Sequence, residues 1–234
     1  KLRFALVLLQ KKVLSDNSVL LYNKTHKYKH KNMKNKSLQE SIRDRRTYYQ
    51  LGNESPVSDE EIQKIIEYVA YWAPSPFNSQ SARMVLLLGE NHKKLWELTK
   101  AELKKISHSK EAWKKTEEKV NSSFLAGYGT VLFFEDMSVV KGLQDSMPSY
   151  SEKFAQWSEH STAISQILIW MALENEGFGA SLQHYNPLID EGIQKEWGIS
   201  QDWKLVAQMP FGTPLSGPGE KTHEPLEKRI LVFK

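Results

Sequence analysis

From Ser37 onward the chain alternates helical and strand-like hydrophobic patterns. Ile62, Ile65, Ile66, Val69 and Ala73 recur every three or four positions behind the capping signal Ser58-Asp59-Glu60-Glu61, which predicts an amphipathic helix ending before Pro74. A shorter helix is expected from about Ser37 to Arg45. The compact apolar runs Met84 to Leu88 and Thr130 to Phe134 are too short for buried helices and read as central strands. Between them, His92 to Val120 is charged and helical in tone, with Leu95, Leu98 and Leu103 marking an inner face and the charges a solvated one. Ser151 to Glu174 reads as one long helix carrying Phe154, Trp157, Ser161, Ile164, Leu168 and Met171 at alternating spacings of three and four. That stripe suits either the core or a dimer interface, and the pattern does not choose between them. Phe178 to His184, Trp203 to Met209 and Ile230 to Phe233 add strand candidates, the last a tail able to pair outside its own domain. Helices interleaved with these strands predict an α+β fold, a three-layer α/β/α sandwich. Without a Gly/Ser/Pro linker or an internal repeat, residues 33–234 form a single expected domain.

Composition narrows the chemistry. Of 234 residues, 40% are hydrophobic and 26% charged, enough for a packed core. Cysteine is absent, so disulfides, thiolate metal sites and cysteine nucleophiles are excluded, and redox chemistry must ride on a bound cofactor. No apolar run approaches the roughly 20 residues of a membrane span, Phe4 to Leu9 having six and Ile167 to Leu173 seven, so no membrane partner is expected. The net charge of +4 is misleading. Residues 1–32 hold eight Lys or Arg against Asp16, whereas the other 202 residues hold 24 basic and 27 acidic side chains. The basicity therefore belongs to a leader, read as expression-derived or upstream-translated sequence with the native protein opening at Met33; its apolar stretch is too short for a signal peptide. A targeting peptide or a nucleic-acid arm are the rival readings, and nothing downstream supports nucleic-acid binding. His26 and His30 lack a third ligand, so no metal is expected.

Familiar catalytic signatures are missing. Gly177-Phe178-Gly179 lacks a third glycine, Gly127-Tyr128-Gly129 precedes a strand, and there is no P-loop, H-E-x-x-H or G-x-S-x-G. Two polar clusters remain. Arg43, Arg45, Arg46 and Thr47 close the first helix, where guanidinium groups and a hydroxyl suit a phosphate dianion, although arginines also complement a helix C-terminus. The loop Ala73-Pro74-Ser75-Pro76-Phe77-Asn78-Ser79-Gln80 is stiffened by two prolines, and the amides of Asn78 and Gln80 suit a heterocycle edge, although a plain Pro/Asn turn has the same composition.

Together the clusters, Arg45-Arg46-Thr47-Tyr48-Tyr49 and then Pro74-Ser75 through Asn78-Ser79-Gln80, resemble the FMN-dependent nitroreductase family. With Gly179-Ala180-Ser181-Leu182-Gln183-His184-Tyr185-Asn186-Pro187, the likeness extends to a small subgroup related to the yeast fatty acid repression mutant protein and covers about Ser37 to Phe233. The resemblance implies a mixed sheet flanked by helices, an intertwined homodimer, and FMN held between subunits. It implies that Arg45, Arg46 and Thr47 bind the FMN phosphate and neighbouring polar atoms, and that Tyr49 is a further flavin contact. Asn78 and Gln80 would meet the ribityl chain and ring edge, from either subunit. Leu182, Gln183 and His184 would pass backbone under the ring, offering an N–H to flavin N5. Lys221-Thr222-His223 stands where the family has a K-x-R phosphate pair, and His223 is mostly neutral at pH 7 where arginine is charged. Ser81-Ala82-Arg83 stands where many relatives have proline and tryptophan.

The implied activity is a cytoplasmic oxidoreductase in which NADH or NADPH reduces FMN and a nitroaromatic or quinone is then reduced, in a ping-pong cycle with no acid–base dyad in the protein. Phe77, Phe124, Trp157 and His184 are candidate pocket walls as well as candidate packing residues. Two alternatives belong to other classes: a flavin-binding regulatory or sensor protein tied to lipid or stress response, and a nucleic-acid binder driven by the leader.

Overall fold

The computed structural model describes residues 36–234; the expectations for the basic leader lie outside them. Seven α-helices are formed among these residues: α1 (Leu38–Asp44), α2 (Asp59–Trp72), α3 (Gly89–Lys105), α4 (Lys110–Val120), α5 (Met137–Ser146), α6 (Ser151–Asn175) and α7 (Asp190–Trp197). Five strands join them: β1 (Leu51–Gly52), β2 (Ala82–Leu88), β3 (Gly129–Asp136), β4 (Gly179–Ala180) and β5 (Trp203–Pro214). The strand order is β1-β5-β3-β2, with β4 also on β5. Every ladder between these strands is antiparallel, and parallel pairing is confined to the single bridge between Thr47 and Ala180.

The central strand explains the layers. β3 is buried along its whole length, and its side chains alternate between two cores: Val131 and Phe133 face one, Leu132 and Phe134 the other. The first core receives Ile62, Ile66 and Val69 of α2 and Ile169 and Leu173 of α6. The second receives Leu95 and Trp96 of α3, Val120 of α4 and Ile193 of α7. A register shift opposite Phe133/Phe134 lets Ala207 and Leu205 of β5 serve opposite cores although only Val206 separates them. A sheet covered on both faces is the α/β/α sandwich that the interleaved pattern predicted, so the fold is α+β.

Local chemistry sets the helix boundaries. Ser37 and Glu40 cap α1 reciprocally, the Ser37 hydroxyl accepting the Glu40 N–H at 3.2 Å and Glu40 Oε2 accepting the Ser37 N–H at 2.7 Å. Ser58 caps α2 by accepting the Glu61 N–H, and Ala73 ends it one residue before Pro74. The charged stretch expected as helical is broken between Lys105 and Lys110, with Ser109 capping the second helix.

Two expectations are corrected. Ile230–Phe233 forms no strand; it runs exposed beyond the domain, Phe233 at 91%. Phe178 to His184 pairs only at Gly179–Ala180 and at the isolated bridge of Gln183 with Gln208, because β5 offers it the edge of its C-terminal half alone. On the long helix, the stripe that suits either the core or a dimer interface is only in part the core face. Its buried row is Phe154, Ser158, Ser161, Thr162, Ser165, Gln166, Ile169 and Leu173, while Leu168 and Ile167 are 38% and 40% exposed. The small hydroxyl residues let α6 lie close over the sheet, returning their O–H groups to carbonyls a turn back, as Ser161 does to Trp157 and Ser165 to Ser161.

Candidate functional site

α1 ends at a cleft of about 400 Å³ lined by Arg45, Arg46, Thr47, Tyr49, Gly219, Glu220 and Lys221. The extended conformation of Arg45 stops the helix and turns the chain along the sheet edge. Thr47 bridges to Ala180, and the Tyr48 N–H donates to the Ala180 carbonyl at 3.0 Å. Gly179 permits this seating, since a Cβ there would lie 2.9 Å from Cβ of Tyr48. The far wall comes from the C-terminal segment: Arg46 Nη2 donates to the Gly219 carbonyl at 2.5 Å, joining residues 173 positions apart.

The two arginines are in different states. Arg46 is tied to the C-terminal segment. The Arg45 guanidinium lies 4.4 Å from the centroid of the Trp170 ring and makes no hydrogen bond or ion pair among the described residues. Burial and then the neighbouring Arg46 push its pKa down, with Glu174 pulling the other way. Arginine cannot escape such a site by releasing its proton, so the half-buried guanidinium keeps its charge with its N–H donors unspent among the described residues. Arg43, grouped with these residues on sequence spacing, points away and pairs with Asp44 at 2.7 Å. Lys221 reaches the cleft; His223 does not line it and is exposed.

Leu182, Gln183 and His184 run beside β5. The N–H groups of Ser181 and Gln183 donate to the carbonyls of Pro210 and Gln208, at 3.2 and 2.7 Å, and the Tyr185 N–H donates to Gln208 Oε1 at 2.8 Å. Odd positions are thus consumed by the sheet. The N–H groups of Leu182 and His184 have no partner among the described residues and face the other way, as the period of an extended strand requires. Of the three residues expected to offer a backbone donor, Gln183 has already spent its own.

Asn78 and Gln80 lie in a corner outside the cleft lining. Phe77, Asn78 and Gln80 all have positive φ, at 54°, 51° and 50°. Three non-glycine residues in the left-handed region are strained backbone that the surroundings must hold in place. The Ser75 hydroxyl accepts the Gln80 N–H at 2.9 Å, the Ser75 carbonyl accepts the Asn78 N–H at 3.0 Å, and Arg83 Nη1 donates to the Gln80 carbonyl at 2.6 Å. Phe77, 58% exposed, leans on Phe154, with Trp157 and Tyr150 beside it. Its candidate partner Phe124 is instead core, fully buried between Trp96 and Tyr185. His184 is exposed.

Sequence reasoning missed Trp170, Gly219 and Glu220. Trp170 falls outside the stripe assigned to the long helix; the two tail residues lie in Ser216-Gly217-Pro218-Gly219-Glu220, whose only signal is a turn-rich composition. Among the described residues no group of three His, Asp or Glu is arranged for a metal, and no helix is long and apolar enough to cross a membrane.

The fold and cleft define a class: a three-layer α+β domain with an arginine- and lysine-lined cleft at a sheet edge. The sequence profile of the Nitroreductase family matches residues 42–213, and the chain belongs to that family. It is 36% identical to HBN1 of Saccharomyces cerevisiae over 192 residues, 81% of this chain and 93% of that protein. It is 33% identical to the nitroreductase FRM2 of the same yeast, over 78% of this chain and 90% of FRM2. Among solved structures, the nitroreductase CinD from Lactococcus lactis in complex with nicotinic acid superposes with a TM-score of 0.78 at 40% identity, over 85% of this chain and all of CinD. CinD has also been solved with chloramphenicol and with 4-nitrophenol. The family makes the chain a nitroreductase-type oxidoreductase.

Proposed function

We propose that this protein is an FMN-dependent oxidoreductase that takes reducing equivalents from NADH or NADPH and passes them to nitroaromatics or quinones in two alternating half-reactions. The observation that carries this reading is the unpaired Arg45 guanidinium in a cleft shared with Arg46, Thr47 and Lys221. These donors fit a phosphate monoester, which accepts bidentate hydrogen bonds from arginine and single bonds from a hydroxyl and an ammonium group. When bound, FMN supplies the two-electron chemistry. The protein binds and orients: Arg45, Thr47 and Lys221 hold the phosphate end, Tyr49 flanks it, and the spare N–H groups of Leu182 and His184 face the space beside β5 where a ring's polar edge would lie. The aromatic ligands in the CinD structures support a flat acceptor.

The working unit in this reading is a homodimer. Asn78 and Gln80 sit in a separate corner from the phosphate cleft, so a second copy is the natural source of ring-edge contacts. The exposed Ile167 and Leu168 of α6 and the apolar tail Ile230 to Phe233 are the surfaces such a partner would cover.

The test begins with the absorption spectrum of the purified protein and mass spectrometry of the small molecule released by heat. Near-stoichiometric FMN that NAD(P)H bleaches anaerobically, and that 4-nitrophenol or a quinone restores, is the expected outcome. A protein that neither carries nor takes up FMN would overturn the reading. Light scattering at the mass of a monomer would overturn the shared site.

A further inference from the structure

We infer that Trp170 is a positioning residue that holds the Arg45 guanidinium at the cleft by a cation–π contact, keeping its hydrogen-bond donors free for the phosphate. The inference rests on the FMN reading above and goes beyond it by assigning a residue with no polar contact of its own.

The geometry is specific. Arg45 Cζ lies over the indole, 4.4 Å from its centroid, a cation–π contact that takes up the charge without a hydrogen-bond acceptor. Such a contact spends none of the five N–H groups on a protein oxygen and leaves them available to fork onto two phosphate oxygens. An ion pair would do the reverse, holding the charge while occupying those donors. Such a competitor is at hand: Glu174 lies one turn beyond Trp170 on α6, near enough to act on the Arg45 charge. One of its oxygens, Oε1, is held by Lys36 Nζ at 2.5 Å, which also lies 3.3 Å from Asp44 Oδ2, while Oε2 is buried and makes no hydrogen bond to Arg45 or any other described residue.

The platform is also anchored. Trp170 packs against the core cluster of Ile169, Leu173 and Phe178, so the indole cannot swing away with the arginine. α1, which delivers Arg45, is tied to the same end of α6 by the Ser41 hydroxyl donating to Asn175 Oδ1 at 3.0 Å. Arg45 therefore meets the phosphate with its rotamers already restricted, and the cost of ordering a long side chain on binding falls.

The experiment compares the dissociation constants of FMN and riboflavin for the wild type, W170L, W170F and R45M, and for W170L in an R45M background, with a thermal melt of each. Riboflavin has the same ring and ribityl chain without the phosphate. We expect W170L to weaken FMN about tenfold while leaving riboflavin within twofold, W170F to fall between, and W170L to add nothing once Arg45 is methionine. Unchanged FMN affinity in W170L, equal losses for both flavins, or additive losses with R45M would each overturn the inference. If W170L does not fold, W170F decides alone: a loss confined to FMN supports the inference, and none overturns it. A wild type that binds neither flavin would instead overturn the FMN reading itself.

Discussion

The cleft rim and the two ends of β3 face the same physical problem, a charge taken out of water, and resolve it in opposite ways. At the start of β3, His92 is 2% exposed. Its Nε2–H donates to the Leu125 carbonyl at 3.2 Å, and its Nδ1 accepts from the Thr130 hydroxyl at 2.9 Å, which itself accepts from Trp96 Nε1 at 3.0 Å. These partners assign the neutral tautomer, and burial pushes its pKa down to about 4. At the other end Glu135 is 1% exposed, accepts a hydrogen bond from the Thr162 hydroxyl, and has its pKa pushed up by burial, with hydroxyl neighbours and Arg83 only partly offsetting. In both, burial works against the charged form. Arg45 has no neutral form to fall back on and keeps its charge, partly buried over the Trp170 ring. Burial of the two titratable groups is thus met within the fold, whereas the Arg45 donors are left without a protein partner among the described residues.

The largest expected effect tests the His92 end. Its folded value lies below the ordinary 6.5, so its contribution to stability is fully present above pH 6.5 and is lost as the pH falls toward 4, by about 3 kcal/mol. Denaturant melts across that range, wild type against H92Q, should show the slope only in the wild type. Next is the rim, where R45M should weaken FMN about 100-fold, roughly 2.8 kcal/mol, while sparing riboflavin. Equal losses for both flavins in a titration followed by flavin fluorescence would erase the contrast with the core.

Glu135 predicts the opposite slope. Its folded value is raised, so its contribution is fully present below the ordinary carboxylate pKa and is lost as the pH rises through the folded value. E135Q should therefore gain on the wild type as the pH is raised, and calorimetric melts at acid and alkaline pH would check it. The smallest effect belongs to the helix that delivers Arg45: S37A removes the cap of α1 and should cost about 1 kcal/mol by urea denaturation, with a modest loss of FMN affinity.

Much of the scaffold was readable before folding was considered. The Ile62, Ile66 and Val69 row placed α2 on the sheet, and the short runs around Val131 and Leu87 were central strands, because helical and strand periods are local properties of the chain. Short elements escaped: α5 and α7 lack a long apolar period, and β1 spans two residues and exists only because β5 offers an edge, which also trims the expected strand Phe178 to His184 to the two residues of β4. The core face of α6 was not legible because much of its buried row is serine and threonine, residues counted as polar that tolerate burial when their hydroxyls return to the helix backbone.

By itself the sequence determined that any redox chemistry must come from a cofactor, since cysteine is absent, and that two candidate binding clusters follow α1 and α2. Only the tertiary structure decided how the first cluster divides its work. It set Trp170 under Arg45, gave Glu174 to Lys36, and folded Gly219 back onto Arg46 across 173 positions. These are contacts between residues far apart in the chain. No local pattern encodes them, because their partners are chosen by which helix faces the sheet leaves exposed.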